Sequence, residues 1–369
     1  MRELYIGLMS GTSLDGVDGV VADFSGDTLR VQAHASRPFA AGFRAELLAL
    51  NHSGPDELHR AALAANTLAQ AYAATVADLL AAARVTTADI RAIGAHGQTV
   101  RHRPQDFGGT GYTWQLNNPA LLAELCGIDV VADLRSRDVA AGGQGAPLAP
   151  FFHQAMFARP DTTVGVLNLG GIANLTVLSP GGRIAGFDCG PANALMDGWC
   201  ERHLGQPYDD DGCWAASGRV IAPLLDGWLA HPYFAQQPPK STGRDLFHRA
   251  WLDGTLAAHG PLAPADVQAT LAELTARSCA DDLLRHGGAT RELLVCGGGA
   301  LNGHLMARLQ ALLPGVKVQP TSARGLPALQ VEAAAFAWLA RMCVHRRPID
   351  LSPVTGAAGP RVLGAIYPA

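Results

Sequence analysis

The sequence predicts a two-domain α/β protein built from a duplicated unit, and three observations lead there. The chain has 369 residues, more than one ordinary core accommodates and enough for two. Hydrophobic residues make up 48% and charged residues 16%, a balance that fills large cores and excludes a disordered chain. Short apolar strands alternate with long alanine-rich helices, and the order strand, glycine turn, strand, strand, helix occurs twice.

The elements follow in order. Residues 5–8 form a short apolar strand that runs into Ser10-Gly11-Thr12-Ser13, and residues 17–24 resume strand character. Residues 29–35 alternate apolar and polar positions, as a half-buried strand does. Residues 56–83 change to a helical, alanine-rich pattern that starts after Pro55. A strand over 90–95 ends in His96-Gly97-Gln98-Thr99. Residues 119–126 open with a proline at a first-turn position and read as helix; a strand over 129–132 follows. The glycine-rich stretch 142–147 reads as a loop between halves, with a helix over 147–156 behind it. The theme then returns: strand 163–169, turn Gly170-Gly171, strand 174–178, a strand ending at 186–188 and helix 193–203. Helix 262–285, strand 292–296, helix 301–313 and helix 330–341 complete the series. The expected domains are 1–135 and 136–369, with segment 359–369 returning to the first.

The formal charge of −4 argues against nucleic-acid capture, which needs a basic footprint. No run of eighteen apolar residues suggests a membrane span, and the N-terminus lacks the pattern of a signal peptide. The 7 cysteines are scattered and form no C-x-x-C pair, which suits a reducing compartment rather than a disulfide scaffold. A cytoplasmic location is therefore expected. A homodimer stays open.

Four motifs carry chemistry. In Ser10-Gly11-Thr12-Ser13-Leu14-Asp15-Gly16-Val17-Asp18, two glycines let amides turn inward as an anion nest, and Thr12 and Ser13 add hydroxyl donors. Asp15 and Asp18 suit a Mg²⁺ held through water better than a phosphate. The plain alternative is a hairpin turn. Asn168-Leu169-Gly170-Gly171-Ile172-Ala173-Asn174 repeats the design, again with an ordinary tight hairpin as the alternative. Two such bends facing each other would clamp a polyphosphate. In Gly186-Phe187-Asp188-Cys189-Gly190-Pro191-Ala192-Asn193, a strand-end carboxylate precedes a helix whose N-terminus favours its ionised form. Asp188 is then a base for a hydroxyl or water, or else a cap for that helix. Finally, Val295-Cys296-Gly297-Gly298-Gly299 ends a strand in three glycines before a helix, where backbone closely approaches a flat ring or a phosphate. It lacks the last glycine and the downstream acid of a dinucleotide fingerprint.

Lesser signals are His96 and Gln98 as sugar contacts, with a structural role for the histidine as the alternative and metal binding disfavoured by the spacing to His102, and Arg135 as a fork for a carboxylate. The loop Lys240-Ser241-Thr242-Gly243-Arg244 is either a phosphate contact or solvated. Glu332 is an odd acid on an apolar helix.

These blocks resemble the anhydro-N-acetylmuramic acid kinases. The likeness runs through Met9 to Asp18, Gly94-Ala95-His96-Gly97-Gln98-Thr99, Asp133-Leu134-Arg135-Ser136-Arg137-Asp138, Gly186 to Asn193, the Lys240 loop and the Gly297-Gly298-Gly299 turn, in order along nearly the whole chain. Ala192 stands where a glycine is also common. The resemblance implies an actin-like ATPase fold of the sugar kinase, hsp70 and actin type, with a central cleft, ATP and Mg²⁺. It implies opening of a 1,6-anhydro sugar bridge by water with phosphorylation of O6, in peptidoglycan recycling. Asp188 would prime the water; residues 11–18 and Gly170-Gly171 would hold the phosphates; the 297–299 turn would seat adenosine; Arg135 would meet the lactyl carboxylate. The rival expectations are a conventional sugar or acetate kinase and a nucleotide-switched binding protein on the same fold.

Overall fold

The computed structural model describes residues 2–11, 13–26, 28–243 and 246–369. It divides into two compact units, one formed by Met1–Phe152 with Gln330–Ala369 and the other by His153–Leu329.

The first unit is built on strands β1 (Leu4–Met9), β2 (Gly16–Asp23), β3 (Arg30–Pro38), β4 (Ile90–Ala95), β7 (Val130–Ala132) and β13 (Ala365–Tyr367), in the sheet order β13-β7-β4-β1-β2-β3. A separate ribbon pairs β5 (Gln98–Arg103) with β6 (Tyr112–Leu116). β1 pairs antiparallel with β2 and parallel with β4. Helices cover both faces. On one side the Glu57–Ala83 helix lays Leu68, Tyr72, Val76 and Leu79 onto Leu4, Ile6, Leu8 and Val21. On the other, the Val331–Val344 helix lies so close to the strands that a Cβ at Gly7 or Gly94 would overlap the carbonyl oxygens of Ala333 and Phe336. Mid-strand glycines are unfavourable alone, and here they mark a close backbone approach.

The second unit carries β8 (Val164–Leu169), β9 (Ile172–Leu178), β10 (Ile184–Pro191), β11 (Glu292–Cys296) and β12 (Lys317–Pro320), in the order β10-β9-β8-β11-β12. The Pro264–His286 helix is buried over most of its length and packs with Leu175, Phe187 and Leu293.

Numbering the strands by appearance, and setting aside the ribbon and β13, both sheets have the order third, second, first, fourth, fifth. In both, the first three are antiparallel neighbours and the last two run parallel to the first. This is the expected duplication, and it is the actin-like α/β architecture. The expected division at 135/136 falls inside the first unit. Not only 359–369 but the whole segment from Gln330 returns there, because the alanine-rich helix supplies the small residues that fit over Gly7 and Gly94.

Candidate active site

In the first unit the bend after β1 is braced from beneath. Ser10 is buried; its hydroxyl donates to Gln98 Oε1, and Gln98 Nε2 donates to the Gly11 carbonyl over 3.1 Å. Arg135 donates to His96 Nε2 over 3.0 Å, so the opposite ring nitrogen, Nδ1, donates to the Ser10 carbonyl at 3.0 Å. Burial, then the Arg135 charge, pushes His96 down to about 3, which keeps the ring neutral and this tautomer fixed. The Gly97 amide donates to the buried Tyr72 hydroxyl over 3.1 Å. His96, Gln98 and Arg135, expected to face a sugar, thus meet in this structure around the backbone of Ser10 and Gly11. Arg135 also reaches the Gly145 carbonyl at 2.9 Å.

The bend itself closes with Leu14 N donating to Gly11 O over 3.2 Å, and Leu14 takes a positive φ of 58°. Leu14 is buried among Leu47, Val100 and Leu116, so it anchors the loop. Val17 is fully buried in β2, and a Cβ on Gly16 would overlap the Arg37 carbonyl, so both serve the sheet. Gly11 is different: a Cβ there meets no protein atom closer than 3.6 Å. Thr12 lies outside the described residues. Ser13 Oγ donates to Asp15 Oδ1 over 2.7 Å, and Asp18 Oδ1 lies 3.4 Å from His34 Nε2.

Glu332 belongs to this group, which sequence reading left undecided. It sits in the first turn of the Val331–Val344 helix and reaches solvent. Crowding by surrounding protein, reinforced by the charges of Asp18 and Asp15 and opposed by Arg135, pushes its carboxyl up to about 7.

In the second unit the features gather at the carboxyl ends of the parallel strands, where ligands bind in open α/β sheets. Cys296 at the end of β11 is level with Asn168 near the end of β8. The carbonyls of Gly170 and Gly171 accept from the amides of Asn193 (3.0 Å), Ala192 (3.1 Å) and Ala194 (3.2 Å), which joins the hairpin to the start of the Asn193–Leu204 helix. As at Gly11, neither glycine is demanded by packing, the nearest contacts of an added Cβ being 3.7 and 3.5 Å. In the 297–299 turn, Gly297 has φ 78° and Gly299 packs on Leu169, so both are structural, whereas Gly298 lines a cavity of about 340 Å³. Met196, Leu301 and Leu329 give that cavity apolar walls, and Asn193 and Asp210 give it polar ones.

Asp188 lies opposite Asn174 on β9, just before a bulge at Cys189 that shifts the register. Asn174 Nδ2 donates to Oδ1, and Thr242 N (2.9 Å) and Ser241 Oγ (3.3 Å) donate to Oδ2. Burial raises its carboxyl above the ordinary range; those hydrogen bonds and the Lys240 charge oppose it. The capping role is not realised, since the Asn193–Leu204 helix has Ala192 at its N-cap and no side-chain cap. Asn174, Ser241 and Thr242 are partners of Asp188 that the sequence alone does not assign; the pairing of β9 with β10 is the signal available for the first.

The profile described as AnmK: Anhydro-N-acetylmuramic acid kinase matches residues 3–369. The protein named anhydro-N-acetylmuramic acid kinase in Albidiferax ferrireducens is 62% identical over 100% of this chain and 100% of its own length. The protein of that name in Variovorax paradoxus is 62% identical over 100% of this chain and 99% of its own. Among solved structures, component A of the Acidaminococcus fermentans (R)-2-hydroxyglutaryl-CoA dehydratase is 12% identical with a TM-score of 0.48, covering 91% of this chain and 98% of that one. The chain belongs to the anhydro-N-acetylmuramic acid kinase family.

Proposed function

We infer that this chain uses ATP and water to convert anhydro-N-acetylmuramic acid into N-acetylmuramic acid 6-phosphate and ADP, in cell-wall recycling. The observation that carries the reading is Asp188: one carboxylate, aimed by three donors and raised by burial, at the ligand-binding end of a sheet. Once ionised, such a group is a stronger base than a solvated aspartate. Asp188 takes a proton from water; the water oxygen bonds to the anomeric carbon; the bond from that carbon to O6 breaks. O6 takes the γ-phosphoryl group as the bond to ADP breaks. The second water hydrogen stays on the new C1 hydroxyl.

The phosphates are assigned to loop 11–18 and to Gly170-Gly171, where Gly11, Gly170 and Gly171 leave room that packing does not use. Adenosine is assigned to the cavity beside Gly298, with Gly297 and Gly299 shaping it. His96 and Gln98 act through the loop they brace. Arg135, partly exposed and cationic, is kept for the lactyl carboxylate. Asp15, Asp18 and Glu332 are the oxygen donors for Mg²⁺. Their fit is the Glu332 carboxyl, pushed upward by the crowding protein and then by the charges of Asp18 and Asp15, a repulsion that a cation would relieve. Among the described residues no group of three His, Cys, Asp or Glu side chains is placed to hold a metal ion directly, so these carboxylates would act on Mg²⁺ through its waters. When bound, Mg²⁺ supplies charge neutralisation to the phosphate oxygens. We place the enzyme in the bacterial cytoplasm, where ATP is available. No helix among the described residues is long and apolar enough to cross a membrane.

Turnover in ¹⁸O-water tests the reading. One label at C1 of the product is expected; a phosphorylated product without it identifies a conventional kinase.

A further inference from the structure

Lys240 has no role in the reaction above, and it stands in an unusual place. Its ammonium lies 3.0 Å from Asp282 Oδ1 and 2.8 Å from Oδ2, and the two side chains are 1% and 3% exposed. Such a pair is expensive to desolvate, and apolar residues of similar volume often serve stability as well or better. Its neighbours suggest what it does instead. The Lys240 carbonyl accepts from Asp188 N over 3.1 Å, and the next two residues supply the Ser241 and Thr242 donors to the Asp188 carboxylate. Tyr233, whose ring centre is 5.1 Å from the Lys240 ammonium, donates its hydroxyl to the Asp188 carbonyl over 2.7 Å. The Phe187 ring, one residue before the base, is 5.9 Å from the same ammonium. Asp282 is held on the long Pro264–His286 helix.

We propose that the Lys240–Asp282 pair is a positioning device for Asp188: it pins the 240–242 loop whose donors aim the carboxylate, and it sets one fixed positive charge behind it. The lysine is thereby no phosphate ligand. This rests on Asp188 being the base. The other titratable groups beside the pair are His286, 3.9 Å from Asp282, Arg285 at 4.0 Å, Asp281, Tyr233, and the buried thiols of Cys189 and Cys279.

The test uses the full-length enzyme with the double substitution Lys240→Met and Asp282→Leu, which removes both charges and preserves packing. The expected result is a Tm close to that of the parent and a kcat lower by about 10²-fold. The KM for ATP should change by less than about twofold. The acidic limb of the kcat profile should move to higher pH, because the positive charge favouring ionised Asp188 is gone. Lys240→Arg keeps the charge and should keep the limb in place. If the double variant does not fold, Asp282→Asn, which keeps the Lys240 charge but unpins it, is read by kcat alone: a fall of about tenfold or more at near-constant KM for ATP is expected, and kcat within about threefold of the parent overturns the proposal. An unmoved limb with kcat within about threefold of the parent overturns the proposal, as does a KM for ATP raised by about tenfold at unchanged kcat. Asp188→Asn is run beside them: full turnover in that variant refutes the base itself, whereas loss of turnover there with an unmoved limb in the double variant refutes the positioning role alone.

Discussion

Replacing Asp188 by asparagine isolates the base from the scaffold around it. The new side-chain oxygen can still accept from Thr242 N, now 2.9 Å from Oδ2, and from Ser241 Oγ at 3.3 Å. The new amide would face Asn174 Nδ2, donor to donor, but turning the Asn174 amide over presents its carbonyl instead. Every hydrogen bond is then kept, so the unfolding free energy should change by less than about 1 kcal/mol. The adenosine cavity is lined by other residues, so affinity for a non-hydrolysable ATP analogue should hold. What disappears is the acceptor for the proton of water, a loss of about 10²–10⁴ in kcat. That is about 2.7–5.4 kcal/mol of barrier. Asp188→Ala should lose similar activity and, by stranding its donors, about 1–3 kcal/mol of stability as well. Steady-state ADP release, equilibrium denaturation and analogue titration give the three readouts. Turnover of Asp188→Asn within about tenfold of the parent would place the base elsewhere.

Gly7→Ala sets a Cβ against the Ala333 carbonyl and should cost about 1–3 kcal/mol, visible as a lower Tm. Gly171→Ala meets only the Ala194 Cβ at 3.5 Å, so its Tm should hold while ATP binding weakens, as titration will show. His96 has a folded-state value lowered from 6.5 to about 3. Its contribution to stability is complete above about 6.5 and is lost as pH falls from there toward 3, so denaturation midpoints at pH 7 and 5 should differ less in His96→Gln. For Asp188 the raised value means activity falls as pH drops through it, giving an acidic limb above the ordinary carboxylate range in the kcat profile. Glu332→Gln should raise the Mg²⁺ concentration for half-maximal rate by about tenfold, the effect of one fewer nearby negative charge.

The strands that position the site were legible because each is a short apolar run bounded by glycine: β1, β4, β8 and β11 fall within a residue or so of expectation. The ribbon of β5 and β6 was not, because Arg101-His102-Arg103 breaks the apolar alternation. β12 is four residues with polar members, too short for a period to show. The glycine bends were visible as strings, yet which glycines packing requires depends on partners far along the chain: Arg37 for Gly16, Leu169 for Gly299. By composition the Lys240 loop reads as a phosphate contact or a solvated loop; the burial of Lys240 follows from Asp282, 42 residues on. Glu332 stood out as an acid on an apolar helix, but the carboxylates that perturb it lie more than 300 residues earlier, at Asp15 and Asp18.

The return of Gln330–Ala369 to the first unit has a consequence for synthesis. The second unit is one uninterrupted stretch, so all of its strands have been made once residue 329 leaves the ribosome. The first unit is begun earlier and finished later: its sheet stays uncovered along Gly7 and Gly94, and its β7 edge unpaired, until the final forty residues emerge. A nascent chain therefore carries an open, aggregation-prone face throughout synthesis of the second unit, and that later-encoded unit has the chance to settle first. Truncation from the C-terminus should accordingly damage the N-terminal half most.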